Sequence, residues 1–320
     1  MSTTAARKTI RSTLRWILWV LLAQFILINI SASLYAYKLT HFYDATAVTK
    51  NSSPNVFEKT WKLFTGPKYH KIPVVDLPNR PYEMVYFHTS RKDRIEAWYM
   101  KADSAKGTVI LFHGLTSNKV AMLAEAYEFL YMGYNVLLPD LRAHGNSSGN
   151  TTALGVWESE EVKLSYDFIS SQGEQNIILY GISMGAVIIA KSIYDYGIKP
   201  SHIILDAPFN SLTDHLRGRA RELGFPTEPF ATLFTFWISI ERGFNGFRHN
   251  TSDYATKINC PALVQYGDID RLVLRKEPLS IFDHIPSSQK KFVEYPSADH
   301  ESFLLKDPAT WRKTMEDFLR

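Results

Sequence analysis

The chain has a single cysteine, Cys260, in 320 residues. No internal disulfide can form, and cysteine usage assigns no redox compartment. Cys260 reads as a small hydrophobe beside Pro261. There is no C-x-x-C pair and no H-E-x-x-H, so a protein metal site has no motif behind it. Internal repeats and low-complexity tracts are also missing, which argues against solenoid or linker-rich architectures. Nor is there a charge excess outside one short stretch. The chain has 36 basic and 32 acidic residues, and four of the basic ones, Arg7, Lys8, Arg11 and Arg15, precede residue 16 with no acid among them. The remainder is neutral. That argues against a nucleic-acid footprint on the body of the protein.

The segment after the basic stretch is almost free of charge. Residues 16–37 read WILWVLLAQFILINISASLYAY, about the length of a bilayer-spanning helix. With its positive charges before it, the positive-inside rule keeps residues 1–15 cytoplasmic and carries the rest of the chain across, to the periplasm in a bacterium. A cleaved signal peptide is the rival reading, with Ser31-Ala32-Ser33 as its cleavage region. The apolar run continues past that region to Tyr37, which favours a retained anchor.

Residues 38–81 turn polar, aromatic and Pro-punctuated, and read as a juxtamembrane connector rather than core. Within them Phe57, Trp61 and Phe64 fall at i, i+4 and i+7, with Ser53-Pro54 as a start signal. This predicts a helix that packs on the globular body; lying on the membrane surface is its alternative.

From residue 82 to residue 320 strand-like and helix-like segments alternate, predicting an α/β fold with a mostly parallel central sheet flanked by helices. Residues 82–88 and 95–101 read as an opening antiparallel pair, and 108–113, 135–141, 203–206, 262–266 and 291–295 as further strands. Helices are expected near 120–131, 158–170, 186–196 and 308–319. The stretch 210–256 breaks the alternation and is too long for an ordinary connection. It reads as a helical cap insertion.

The chemistry-bearing stretch is Asn176-Ile-Ile-Leu-Tyr-Gly-Ile-Ser-Met-Gly185, a strand-like run ending in G-x-S-x-G with Ser183 at its centre. Such a pattern delivers a serine on a sharp strand-to-helix turn, where flanking residues without a Cβ let strand and helix close together. Four more motifs lie along the chain. F-H-G-L covers 112–115, D-L-R-A-H-G-N-S-S-G covers 140–149, Y-G-D-I-D-R-L-V covers 266–273, and S-A-D-H covers 297–300.

Together these motifs resemble the serine hydrolases of the α/β-hydrolase superfamily, including membrane-anchored members, over about three quarters of the chain. Ala143 stands where that family usually has Gly, and Leu274 where Pro is frequent. The resemblance implies Ser183 as nucleophile, His300 as base and Asp270 as the acid that orients it. Asp206, Asp268 and Asp299 are the other carboxylates weighed, with Asp268 expected to tie down its turn. The oxyanion donors implied are the backbone N–H groups of Leu115 and Met184. His113 and His144 are read as structural.

The activity implied is cleavage of esters or thioesters of apolar acyl groups through an acyl-enzyme, with no cofactor. The partners expected are a small-molecule or lipid-like acyl substrate and a membrane, and no nucleic acid. Phe230, Phe234 and Trp237 of the cap are expected to line the substrate pocket. Two alternatives stay open. One is a peptidase of the same fold, which would need a carboxylate pair such as Glu222 and Glu228 to read an amino terminus. The other is a catalytically silent scaffold, which the intact serine, acid and histidine argue against.

Overall fold

The apolar runs of the sequence become the middle of an eight-stranded sheet. In the computed structural model of the protein, which describes residues 3–44 and 55–320 and only the backbone of 3–9, the sheet contains β3 (Glu83–His88), β4 (Arg94–Met100), β5 (Thr108–Phe112), β6 (Asn135–Pro139), β7 (Ile177–Ile182), β8 (His202–Asp206), β9 (Ala262–Gly267) and β10 (Lys290–Tyr295). Their spatial order is β10-β9-β8-β7-β5-β6-β4-β3. The β3–β4 and β4–β6 pairings are antiparallel and the rest parallel. Strands covered on both faces carry no polar alternation. In β5 and β7 successive residues simply divide between two cores. Ile110, Phe112 and Leu179 join one; Val109, Leu111 and Tyr180 join the other.

The two faces are covered by α3 (Leu123–Tyr131), α4 (Ser159–Ser171), α5 (Met184–Tyr196), α9 (Lys276–His284), α10 (Phe303–Lys306) and α11 (Pro308–Phe318). The cap segment lies between β8 and β9 and holds α6 (Leu212–Glu222), α7 (Phe230–Arg242) and α8 (Thr251–Ala255). Ser211 and Asn250 cap α6 and α8 by accepting the backbone N–H groups of Asp214 and Asp253, which satisfies donors that a helix start leaves free.

The N-terminal segment is one helix, α1 (Thr3–Leu39). The basic stretch is therefore not a separate tail. Alanine, arginine and lysine favour helix, and nothing between them and Trp16 breaks it. Residues 10–28 are exposed throughout, whereas Ala32, Ala36 and Leu39 are buried. Beyond the helix the chain does not leave the body. Thr40 and Phe42 are buried, Phe42 N–H donates to Asn150 O at 2.7 Å, and Thr152 N–H donates to Thr40 O at 3.0 Å. The start of the expected connector is thus core, because loop 140–155 supplies the partners that its polar backbone needs. Phe42–Tyr43 (β1) then pairs in parallel with Tyr69–His70 (β2).

The helix expected around Trp61 is α2 (Val56–Thr65), but its surroundings differ from the expectation. Phe57 is 86% exposed and Trp61 63% exposed. Its aromatic face is not packed on the body. Its start is the Asn55–Glu58 capping box, a signal of the S/T/D/N-x-x-E type, while Ser53-Pro54 lies outside the described residues. No sequence pattern announces α9, since Pro278 in its first turn reads as a breaker.

Candidate active site

Ser183 sits between β7 and α5 with φ 54° and ψ −114°. A non-glycine residue avoids that region unless its surroundings hold it there. They do: Ser183 N–H donates to Asp206 O at 2.8 Å, and Ser183 O receives the N–H of Ala186 at 3.0 Å. Glycine is required on both sides by contact, not by φ. A Cβ on Gly181 would lie 2.4 Å from the carbonyl carbon of Gly185, and one on Gly185 would lie 2.1 Å from Phe112 O. The serine is 5% exposed.

The loop after β5 stands beside this turn. A Cβ on Gly114 would be 3.5 Å from Ser183 Cβ, so Leu115 follows at the edge of the Ser183 turn. Met184 is the first residue of α5, where N–H groups have no partner one turn back and the helix dipole favours negative charge. Both residues are buried.

Two histidines hold the Leu115 loop. His113 Nδ1 lies 2.8 Å from Gly114 O, and His113 Nε2 accepts Leu141 N–H at 3.0 Å. His144 Nδ1 lies 2.7 Å from Arg142 O, and its Nε2 accepts Thr116 N–H at 3.2 Å. A backbone N–H can only donate, so in each ring the proton is on Nδ1. Burial pushes the pKa of His113 down to about 4 and that of His144 to about 3. Both are neutral fixtures of the loop, and neither is free to accept a proton in catalysis.

The 140–149 loop is pinned from below by Asp140. Its carboxylate takes Lys119 Nζ at 2.6 Å and the N–H groups of Lys119 and Asn146, each at 2.8 Å. Ala143, in place of the usual glycine, keeps a glycine-like φ of 63°. The backbone path is retained at the cost of local strain, on the order of 1 kcal/mol.

The ends of β9 and β10 bring Asp270 and His300 together. Asp270 Oδ1 accepts the N–H groups of Leu272 and Val273, each at 2.8 Å, and Oδ2 lies 2.8 Å from His300 Nδ1. The competing carboxylates are engaged elsewhere. Asp268 accepts Ser297 N–H at 2.6 Å. Asp299 accepts the N–H groups of His300 and Arg271. Asp206 accepts Tyr180 O–H at 2.5 Å and Gln265 Nε2–H at 2.6 Å, and burial lifts its pKa to about 7.

Phe230, Phe234 and Trp237 turn toward α1. Phe234 stacks on Tyr35 with ring centroids 5.3 Å apart, and Trp237 Nε1 donates to Asn29 Oδ1 at 3.3 Å. The cap helix is therefore wedged between the body and α1. One residue that sequence reasoning missed is His215 of α6. It is 2% exposed, and neither ring nitrogen has a hydrogen-bond partner. Burial, with Arg219, His300 and His249 nearby, holds its pKa well below the usual value. Its only sequence signal was a histidine at the start of the cap.

Residues 103–243 match the family described as "Serine aminopeptidase, S33". The chain is 27% identical over 251 residues to the thermostable monoacylglycerol lipase of Bacillus sp., covering 68% of this chain and 93% of that protein. It is 22% identical over 244 residues to the lysophosphatidylserine lipase ABHD12 of Danio rerio, covering 70% of this chain but 61% of that protein. The fold matches the Pyrococcus furiosus esterase Pf2001 with a TM-score of 0.62 at 23% identity, over 78% of this chain and 98% of the esterase. The chain is a serine hydrolase with the α/β-hydrolase fold. Its mostly parallel central sheet flanked by helices agrees with that fold, and one long apolar helix precedes it.

Proposed function

We propose that this hydrolase is a membrane-anchored esterase acting on esters or thioesters of apolar acyl groups, with Ser183, His300 and Asp270 as its triad. The observation that carries the reading is the 2.8 Å contact between His300 Nδ1 and Asp270 Oδ2, made at the same strand ends as the Ser183 turn. Asp270 keeps the proton on Nδ1, which leaves Nε2 to take the serine proton. Ser183 Oγ then attacks the substrate carbonyl, and the oxyanion is held by the N–H groups of Leu115 and Met184. His300 returns the proton to the leaving alcohol or thiol. Water, deprotonated by the same imidazole, adds to the acyl-enzyme, and the acid departs as Ser183 regains its proton.

The names of the relatives point to lipid esters, and the buried site with apolar neighbours supports an acyl substrate. The aminopeptidase reading has less support. Glu222 is 3.4 Å from Arg219, and Glu228 is 2.8 Å from Arg217 and accepts Thr232 O–H at 2.7 Å. Both carboxylates are already paired on the cap surface and are not left free to bind an amino terminus.

Residues 10–39 form a helix long and apolar enough to cross a membrane. Among the described residues the body packs on its C-terminal third alone, so the basic start and the body lie at opposite ends of the exposed stretch. With positive charge retained inside, the catalytic body is on the side away from the cytoplasm, which is the periplasm in a bacterium.

A fluorophosphonate probe tests the chemistry on the full-length protein. Labelling at Ser183, lost in Ser183→Ala and in His300→Ala, is expected. Labelling at another serine, or none in a folded sample, would return the scaffold reading.

A further inference from the structure

The anchor does more than hold the enzyme near a bilayer, because a cleft opens between it and the cap. Leu27, Ile28 and Tyr35 of α1, Leu63 of α2, and Phe230 and Phe234 of α7 line a cavity of about 420 Å³, within the roughly 300–1,000 Å³ of ligand pockets. Its walls present hydrocarbon. Ser31 and Thr60 also line it, but their hydroxyls are tied down, Ser31 Oγ to Phe64 O at 2.5 Å and Thr60 Oγ1 to Val56 O at 2.9 Å.

The depth of the cleft identifies what lies beside it. A spanning helix needs about 20 residues across the hydrocarbon layer. Counted from Arg15, the last charge of the basic stretch, that length ends at Tyr35, so Leu27 and Ile28 lie within the layer. Exposed apolar side chains elsewhere on α2 and α7 agree with this placement. Phe57, Trp61, Phe236 and Ile240 are 86%, 63%, 44% and 56% exposed, and side chains of this kind sit at the interface between lipid and water. A water-filled apolar cleft at this depth is unfavourable; the neighbouring molecules are lipid chains.

The cleft adjoins a second cavity on its α6 side. A smaller cavity shares Tyr35, Phe230 and Phe234 with the cleft and reaches Leu216 and Ala220 of α6. Leu216 follows His215, which has His300 among its charged neighbours, and Phe234 packs against the buried core that holds Leu216.

We infer that α1, α2 and α7 together form an acyl-chain site, and that it accepts one chain of an ester lipid sideways from the surrounding leaflet. The inference rests on the esterase reading above and adds where the chain lies and that the anchor is one of its walls. Membrane anchor and substrate site are then a single structure, and chain length is sensed in the plane of the bilayer.

The test uses full-length protein in phosphatidylcholine nanodiscs, with kcat/KM measured for palmitoyl and acetyl esters of one alcohol. Ser31→Trp fills the cleft from α1. Leu63→Trp fills it from an exposed position on α2 whose replacement does not disturb the fold. Both should lower the palmitoyl-to-acetyl ratio by at least about tenfold, while Ile17→Trp, on the exposed part of α1 away from the cleft, leaves it unchanged. An unchanged ratio in a folded Leu63→Trp overturns the inference. If the wild type turns over acetyl ester and takes the probe at Ser183, the esterase reading survives that result. If the wild type does neither, both fail.

Discussion

Asp270 holds His300 with one oxygen and the chain with the other. Oδ2 is 2.8 Å from His300 Nδ1, while Oδ1 accepts two backbone N–H groups at 2.8 Å. The carboxylate cannot rotate without leaving a buried donor unpaired, so the imidazole has one orientation. Asp270→Asn puts an amide N–H where one of those acceptors stood, and it favours the wrong tautomer of His300. We expect kcat to fall on the order of 10⁴-fold with the thermal midpoint little changed. Asp206→Asn, by contrast, disturbs Tyr180 and Gln265, and should lower stability more than kcat. Comparing kcat and Tm for the two variants separates the roles; equal losses of kcat would leave the acid unassigned.

Gly267 sets the distance between the loops that carry Asp270 and His300. A Cβ there would lie 2.4 Å from Ala298 O and 2.8 Å from Asp299 O, both backbone atoms with no freedom to swing aside. Gly267→Ala should move the His300 loop by a fraction of an ångström or more. Misplacement by about 1 Å can cost roughly 10²-fold in rate. A fall in kcat of at least about tenfold is expected, larger than any rise in KM. Wild-type kcat in this variant would show that the loop has slack that the contacts do not suggest.

A third prediction concerns pH. Glu277 accepts the N–H groups of Leu274 and Asn210, joining the acid loop to the start of the cap, and burial lifts its pKa to about 7 from 4.5. The folded state therefore holds this proton more tightly than the unfolded chain. Its contribution to stability is complete below pH 4.5 and is lost as pH rises through 7. Glutamine stays neutral throughout, so the Tm of Glu277→Gln relative to wild type should climb between pH 5 and pH 8. The underlying change is at most on the order of 3 kcal/mol. A relative Tm that is flat or falls over that range contradicts the assignment.

Much of this arrangement was legible in the sequence, for reasons that differ by element. The central strands could be read because burial on both faces leaves them uniformly apolar, as in 109–112 and 177–180. The Ser183 turn could be read because two backbone collisions allow only glycine at 181 and 185. Residues 39–42 could not be placed, since their burial is caused by loop 140–155, more than 95 residues away along the chain, and no local period records that. The stripe of Phe57, Trp61 and Phe64 announced a helix correctly but not its surroundings, because an apolar face looks the same whether protein or lipid covers it. His215 gave no pattern at all; what singles it out is the absence of partners in three dimensions.

Phe42, just past the end of α1, packs on the histidine that holds the Leu115 loop. Its side chain is 1% exposed, and its ring lies 4.7 Å from that of His144 and 6.3 Å from that of Tyr69. His144 in turn accepts the N–H of Thr116, next to Leu115. Phe42→Ala removes a buried ring at a cost of about 3–5 kcal/mol, and the space it leaves allows His144 to tilt away from Thr116. Loss of one oxyanion donor is worth about 10²- to 10³-fold in kcat, and partial loss of its alignment should cost at least about tenfold. Phe42→Leu fills most of the space and keeps the contact with the imidazole. It should recover most of kcat while leaving part of the stability loss. If Phe42→Leu, assayed at a temperature low enough that both variants stay folded, still turns over as slowly as Phe42→Ala, the link from the end of α1 through His144 to the oxyanion loop is wrong.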